Sequence, residues 1–169
     1  ARREAVRTAI LKSARTIIEE EGVKKVSIRR LAQEIGYSPG SIYQYFKDKN
    51  AIVSSVIGSG YKALMRKVMS EDMEGYAPEE RIRRRFMAYA KEVLAMPYYY
   101  RNVMFTDDAA IVNRTAVLNG DSISERPAFK ELIEALEEGK KTGCFTHGDS
   151  VLYAQLVWTS VFGVLSRAI

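Results

Sequence analysis

The sequence has very few of the residues from which most metal sites, disulfides and nucleophilic active sites are built. Its 169 residues include one cysteine, Cys144, and one histidine, His147. A zinc site or a Cys–His nucleophile needs further ligands or an orienting group, and none stands at suitable spacing from this pair. The composition therefore disfavours an enzyme and predicts neither a metal nor another cofactor.

Signals for export are also lacking. The first apolar residues are interleaved with basic ones, so no secretory signal pattern is present. A single cysteine cannot form an internal disulfide, which fits a reducing compartment. We expect a cytoplasmic protein.

Patterns typical of β-strands are nearly absent, and apolar residues recur at helical spacing along most of the chain. Residues 106–124 have the weakest pattern, and we expect a flexible loop with one helical turn there. A short helix is predicted to start at Pro39, after Ser38 as its N-cap. The other predicted helices span about residues 3–21, 28–35, 49–70, 78–96, 98–105, 126–142 and 150–169.

The last predicted helix, residues 150–169, carries one charge, at Arg167, and is just long enough to cross a bilayer. Several polar residues interrupt its apolar pattern, and there is no second span. A helix that is apolar on most sides is otherwise buried from two directions, by its own domain and by a partner. We therefore favour a partner-facing helix over a membrane span.

The net charge of +5 lies entirely in the first third of the chain. Residues 1–50 hold eleven basic and six acidic side chains, whereas residues 51–169 hold fifteen of each. Such asymmetry indicates that the first third meets a polyanion. The basic run Arg83–Arg85 lies outside this region, and we interpret it as a solvated helix face.

The turn Gly36-Tyr37-Ser38 joins two short predicted helices at the spacing of a helix-turn-helix. The second helix of that unit enters the major groove, so its outward side chains should be small or polar. Small side chains at Gly40 and Ser41 let the backbone approach the bases, and Gln44 presents the donor and acceptor that suit adenine. Three neighbouring residues can reach phosphates on either side: Tyr43, Tyr45 and Lys49.

The stretches Ser27–Ala32 and Gly36–Lys49, which read SIRRLA and GYSPGSIYQYFKDK, resemble the DNA-binding signature of TetR-family repressors. The similarity covers roughly residues 5–55. It implies phosphate contacts by Ser27, Tyr43, Tyr45 and Lys49, and base contacts by Arg29, Ser41 and Gln44. Pro39 and Gly40 complete the predicted DNA-binding set. Tyr45 departs from the family pattern, in which histidine is common at this position.

The resemblance also implies an architecture. It predicts a three-helix DNA-binding domain over residues 1–48, joined by a long helix to a helical effector-binding and dimerisation domain over residues 49–169. The expected partners are a palindromic double-stranded DNA operator, a second copy bound through C-terminal helices, and a small, largely apolar effector that releases the repressor.

Methionine and aromatic residues of the predicted effector-binding domain form either an ordinary hydrophobic core or part of an effector pocket. The predicted pocket residues are Tyr61, Tyr98, Tyr99, Met104, Phe105 and Trp158. Two alternatives to a ligand-responsive repressor stay open, namely an enzyme and a helical interaction protein that has lost DNA binding. Activation in place of repression also stays open.

Overall fold

The computed structural model describes residues 2–104 and 126–169, without the side chains of residues 98 and 102–104. The loop predicted for residues 106–124 lies outside the described residues, as does Phe105.

All regular structure in these ranges is helical, which confirms the all-α prediction. A short 3₁₀ turn, Val23–Lys25, was not predicted because three residues are too few to show a period. The α-helices are α1 (Arg2–Glu21), α2 (Ile28–Glu34), α3 (Pro39–Ile42), α4 (Lys49–Val68), α5 (Pro78–Leu94), α6 (Pro97–Met104), α7 (Pro127–Lys141) and α8 (Ser150–Ala168).

Local sequence sets the helix ends around the turn between α2 and α3. The Ser27 hydroxyl accepts the backbone N–H of Arg30 at 3.2 Å, which caps the start of α2. Gly36 ends this helix with φ at +72°, a left-handed conformation in which a glycine has no Cβ penalty. The Asp48 carboxylate caps α4 by accepting the N–H of Ala51 at 2.8 Å. Serine and aspartate are favoured at N-caps, and glycine is favoured just past a helix end.

The described residues divide into two compact units, residues 2–61 with 97–104, and residues 62–96 with 126–169. The helix α4 begins in the first unit and ends in the second. A domain boundary at residue 48 stays a prediction.

The core of the first unit is built from β-branched and aliphatic side chains of α1 to α4. Burying each such side chain contributes about 1.5–3 kcal/mol. Its fully buried members include Ile10, Ile17, Ile18, Leu31, Ile42, Ile52 and Ile57.

The helix α6 packs in the first unit against α1. Its Tyr99 is 5% exposed, and the Tyr99 hydroxyl donates to the backbone carbonyl of Ile57 in α4 at 2.5 Å. A Cβ atom at Gly60 would lie 2.2 Å from the same hydroxyl oxygen. Burial raises the pKa of Tyr99 to about 12, because the ionised phenolate is poorly solvated there. The glycine thus leaves the space that the ring occupies.

The core of the second unit surrounds Trp158 of α8. Its ring centroid lies 4.9 Å from that of Tyr89, 5.8 Å from that of Phe86 and 5.9 Å from that of Phe129. These tilted arrangements are favourable for aromatic pairs. The cluster joins α5, α7 and α8.

The interpretation of Arg83–Arg85 as one solvated face is wrong for Arg85. The side chain of Arg83 is 63% exposed, but that of Arg85 is 13% exposed and pairs with Glu131 at 2.8 Å. Successive helical residues point about 100° apart, so neighbouring arginines meet different surroundings.

The helix α8 is the one described helix that is long and apolar enough to span a membrane, judged by length and composition alone, with a mean hydropathy of 1.2. One side of it packs inside the second unit through Ala154, Trp158 and Leu165. Another part of its surface is apolar and exposed, with Leu152 at 49%, Leu156 at 55% and Val164 at 70%.

Replacing Gly60 with alanine should destabilise the protein by about 1–3 kcal/mol, because the added methyl group would overlap the Tyr99 ring. Urea unfolding measures this change. Gly40→Ala is the control, since Gly40 also lies in a helix and an added Cβ there would meet only the Ser38 hydroxyl, at 3.9 Å. Equal stability of the two variants would contradict the close approach at Gly60.

Candidate nucleic-acid interface

The recognition segment, residues 38–46, consists of α3 and the turn that follows it. The Ser38 hydroxyl accepts the backbone N–H of Ser41 at 3.2 Å and caps α3. Beyond the four residues of α3, the N–H groups of Tyr45 and Phe46 both bond to the carbonyl of Ile42, at 3.0 and 3.1 Å. The backbone therefore stays turned through the whole segment.

Two apolar side chains hold this segment against the rest of the first unit. Ile42 is 0% exposed and Phe46 is 6% exposed. The Arg7 guanidinium of α1 lies over the Phe46 ring, 5.0 Å from its centroid. These contacts fix which side of the segment faces solvent.

The outward side carries the residues that the helix-turn-helix pattern predicts. Tyr43 is 57% exposed, and Gly40 and Gln44 are exposed as well. A Cβ at Gly40 would meet only the Ser38 hydroxyl, at 3.9 Å, so the space in front of it is open. A duplex can approach the backbone there without displacing protein atoms.

The N-terminus of α1 adds two arginines to this surface. The Arg3 guanidinium donates to the backbone carbonyl of Gln44 at 3.4 Å. A depression of about 620 Å³ is lined by Arg2, Arg3, Tyr37, Ser41, Gln44 and Tyr45.

Arg2, Arg3 and Tyr37 are absent from the predicted site. The two arginines contribute to the charge surplus of residues 1–50, which was the available signal. Their position beside Gln44 depends on packing across 41 residues of sequence, which no local pattern reveals.

Two adjacent arginines of α2 have different surroundings. The Arg30 guanidinium donates to Glu21 at 2.9 Å and to Glu34 at 3.1 Å. These carboxylates raise the pKa of Arg30 further above its ordinary value. Arg29 is exposed and makes no ion pair with the described residues. Arg29 is therefore the one that is available to a ligand.

The remaining predicted DNA contacts are partly engaged. The Ser27 hydroxyl caps α2 as an acceptor, and its own O–H is still a donor for a phosphate. The Ser41 hydroxyl is half-buried and lies 2.8 Å from that of Ser38. Lys49, half-buried, is the first residue of α4. Pro39 and Tyr45 lie in the segment itself, exposed and half-buried respectively.

The predicted effector residues fall in different parts of the molecule. Tyr61 and Tyr99 belong to the first unit and Trp158 to the second. The side chains of Tyr98 and Met104, and the whole of Phe105, lie outside what the structure describes. Trp158 lines an apolar cavity of about 20 Å³ within the second unit. Among the described residues, Tyr61 and Tyr99 do not line it.

Residues 10–56 match the family model described as "Bacterial regulatory proteins, tetR family". An HTH-type transcriptional regulator of Staphylococcus aureus (strain USA300) is 39% identical over 51 residues, which are 30% of this chain and 28% of that protein. The chain thus matches less than a third of the length of this curated relative.

Solved structures extend the likeness to the whole fold. A putative transcriptional regulator of the TetR family from Vibrio parahaemolyticus superposes with a TM-score of 0.67 at 24% identity, over 96% of this chain and 85% of that one. RolR in complex with resorcinol gives a TM-score of 0.67 at 21% identity, over 99% of this chain and 80% of that one.

The fold and the exposed recognition segment are those of a helix-turn-helix protein. Residues 10–56 are thus similar to the corresponding region of bacterial regulatory proteins of the TetR family.

Substituting Arg29 and Arg30 one at a time should show that the first affects DNA recognition and the second affects stability. Arg29→Gln should change which bases are preferred, by about 1–3 kcal/mol if a bidentate contact is lost. Arg30→Gln should keep the base preference but lower the unfolding midpoint, because Glu21 and Glu34 lose their partner. Binding to a randomised DNA library and thermal unfolding measure the two effects. An altered base preference in Arg30→Gln with none in Arg29→Gln would contradict this division.

Proposed function

We propose that the protein is a cytoplasmic repressor that binds a palindromic DNA operator as a homodimer and is released by a small, largely apolar effector. The observation that carries the DNA-binding part is the exposed side of the recognition segment. Gly40, Tyr43 and Gln44 face solvent while Ile42 and Phe46 anchor the segment from behind. An anchored segment with an outward polar face suits entry into a major groove.

Bases and phosphates are proposed to be contacted by different residues. Gln44 and Arg29, both exposed, are the proposed base contacts, together with Ser41. Phosphates lie at the edges of the groove, where flanking donors reach them. The proposed phosphate contacts are Ser27, Tyr43, Tyr45 and Lys49.

The exposed apolar residues of α8 support the homodimer. Leu152, Leu156 and Val164 are all about half exposed or more in the single chain. Burial of such residues against the same helix of a second copy removes apolar area from water. Two-fold symmetry then places two recognition segments on two half-sites about 34–36 Å apart.

The continuity of α4 supports the response to an effector. This helix starts at Lys49, a proposed phosphate contact, and its Met65 and Val68 line the apolar cavity of the second unit. A molecule that moves the last turns of α4 therefore acts on the helix that carries Lys49. A ligand shifts the equilibrium only if it prefers one of two arrangements. RolR, a protein of the same fold, has been solved with resorcinol, a small aromatic molecule.

The proposed effector residues remain Tyr61, Tyr98, Tyr99, Met104, Phe105 and Trp158. Trp158 is the member of this set that lines the apolar cavity. We propose no catalytic role and no cofactor.

Substitutions in the recognition surface test the DNA-binding proposal. Gln44→Ala should change the preferred bases by about 1–3 kcal/mol per lost bidentate contact, whereas Lys49→Ala should weaken all sequences nearly equally. Lys49→Ala should also flatten the dependence of log K on log salt by about one unit. Titrations of operator and random duplexes at several salt concentrations measure both. If Lys49→Ala alters base preference and Gln44→Ala does not, the two assignments are wrong.

The homodimer is tested on α8. Leu156→Glu should convert the dimer to monomer and reduce operator affinity, because a charge replaces an apolar side chain in the interface. Sedimentation at micromolar concentration measures the first effect. Met87→Glu is the control, since Met87 is a 61% exposed apolar residue on α5. Wild-type protein that sediments as monomer while it keeps full operator affinity would refute the dimer.

A further inference from the structure

The apolar cavity of the second unit has a hydrophobic part and a charged part. Its hydrophobic walls come from four helices and include Met65, Val68, Phe86, Leu132 and Trp158. Its charged walls are Arg81, Arg85 and Glu131. Charged side chains beside buried aromatic rings need partners, so the hydrogen bonds of the two arginines are informative.

Arg85 has acceptors for all of its guanidinium nitrogens. Its Nε and Nη2 donate to Glu131 at 3.2 and 2.8 Å. Its Nη1 donates to the carbonyl of Val68, and its Nη2 also donates to that of Glu71 at 3.2 Å. Arg85 and Glu131 are therefore hydrogen-bond partners, and the bond from Arg85 to the Val68 carbonyl holds the end of α4.

Arg81 is not satisfied in the same way. Its Nη1 donates to Glu138 at 2.6 Å, but its Nε is buried with no acceptor among the described residues. A buried donor without a partner costs about 1–3 kcal/mol, and folded proteins leave few of them. The Nε atom is the one unsatisfied buried side-chain donor in the described ranges.

The three charged residues also line a second, larger space. An open depression of about 850 Å³ is formed by residues 69–77, the connection between α4 and α5, with Arg81, Arg85, Glu131 and Glu138. The same charged side chains thus border both the apolar cavity and the depression. A ligand that enters from the depression meets them before it reaches Trp158.

The charged groups at this border differ in how strongly solvent screens them. Four of the five carboxylates that line the depression are exposed, namely Glu71, Asp72, Glu74 and Glu138. The side chains of Arg81 and Arg85 are 18% and 13% exposed, whereas that of Glu138 is 51% exposed. Solvent therefore screens the charge of Glu138 more than it screens the two guanidinium groups. Glu131 is already paired with Arg85, and Arg81 Nη1 with Glu138, so Arg81 Nε is the guanidinium donor left for an incoming acceptor.

The size of the cavity limits the apolar part of the ligand. About 20 Å³ is room for roughly one water molecule, so a ligand enters only by displacing side chains. Met65 is half-buried, and methionine readily adopts other conformers. A compact ring or short chain is the size that such a displacement admits.

We propose that this cavity binds a compact apolar monocarboxylate, with its carboxylate accepting a hydrogen bond from Arg81 Nε and its hydrocarbon part against Trp158. The proposal rests on the proposed effector-responsive function, because it names the class of the effector. Met65 and Val68 belong to α4 and line the cavity, so a ligand that displaces them acts on this helix.

The test compares acids with matched neutral amides on the full chain. The probes are benzoate and butanoate, each with its primary amide, titrated by calorimetry. The acids should bind about 10- to 100-fold more tightly than the amides, the range expected for one hydrogen bond to a charged group. Equal affinities, or no acid binding up to about millimolar concentration, would overturn the proposal. The proposal would also be overturned if neither acid shifted the ¹⁵N resonance of Arg81 Nε.

Arg81→Gln should abolish the preference for acids. Arg83→Gln is the matched control, because Arg83 lies on the same helix with a 63% exposed side chain outside the cavity. Arg81→Lys keeps the positive charge and removes the Nε donor, which covers the case in which Arg81→Gln does not fold. In the unaltered protein, the ¹⁵N resonance of Arg81 Nε should shift with the acids and stay in place with the amides. Persistence of the acid preference in a folded Arg81 variant would refute the site.

Operator binding separates this proposal from the function on which it rests. If the acids bind at Arg81 and operator affinity does not change, the effector response is wrong and the site stands. If a neutral compound releases the operator and the acids bind nowhere, the site is wrong and the effector response stands.

Discussion

Burial of Ile42 and Phe46 is the constraint on which the proposed DNA-binding surface depends. A helix of four residues has no stability of its own, because nucleation costs more than so few hydrogen bonds return. The recognition segment therefore keeps its shape through tertiary packing, with Ile42 in the core and Arg7 over the Phe46 ring. The exposure of Gly40, Tyr43 and Gln44 follows from that packing, since the inward residues decide which side is left for solvent.

Sequence patterns predicted the helices and their caps well, because these depend on neighbouring residues. Ser27, Ser38 and Asp48 each accept a backbone N–H at a helix start, as their residue types indicate. The exposure of Gly40 and Gln44 also followed from the helix-turn-helix pattern, whereas Ser41 is half-buried. Arg3 was missed beside Gln44 because that contact joins residues 41 apart.

The ionic arrangement of the arginines was less predictable. Arg29 and Arg30 are adjacent residues of the same type, yet only Arg30 forms ion pairs with Glu21 and Glu34. Arg85 likewise looked solvated in a run of three arginines but pairs with Glu131 from another helix. The partner of a charged side chain is set by where the next helix lies, and a single sequence carries little information about that.

The contact between Tyr99 and α4 has a mechanical consequence. Gly58, Ser59 and Gly60 form a stretch of low helix propensity inside α4, and the Ser59 hydroxyl bonds to the carbonyl of Val56 at 2.9 Å, a contact of the kind that bends helices. Unsupported, such a stretch is compliant and absorbs torsion applied at either end. The Tyr99 hydroxyl donates a hydrogen bond to the Ile57 carbonyl, and this contact supports α4 beside the stretch. A tyrosine ring seated beside Gly60 thus stiffens this part of α4 beyond what its own residues would provide.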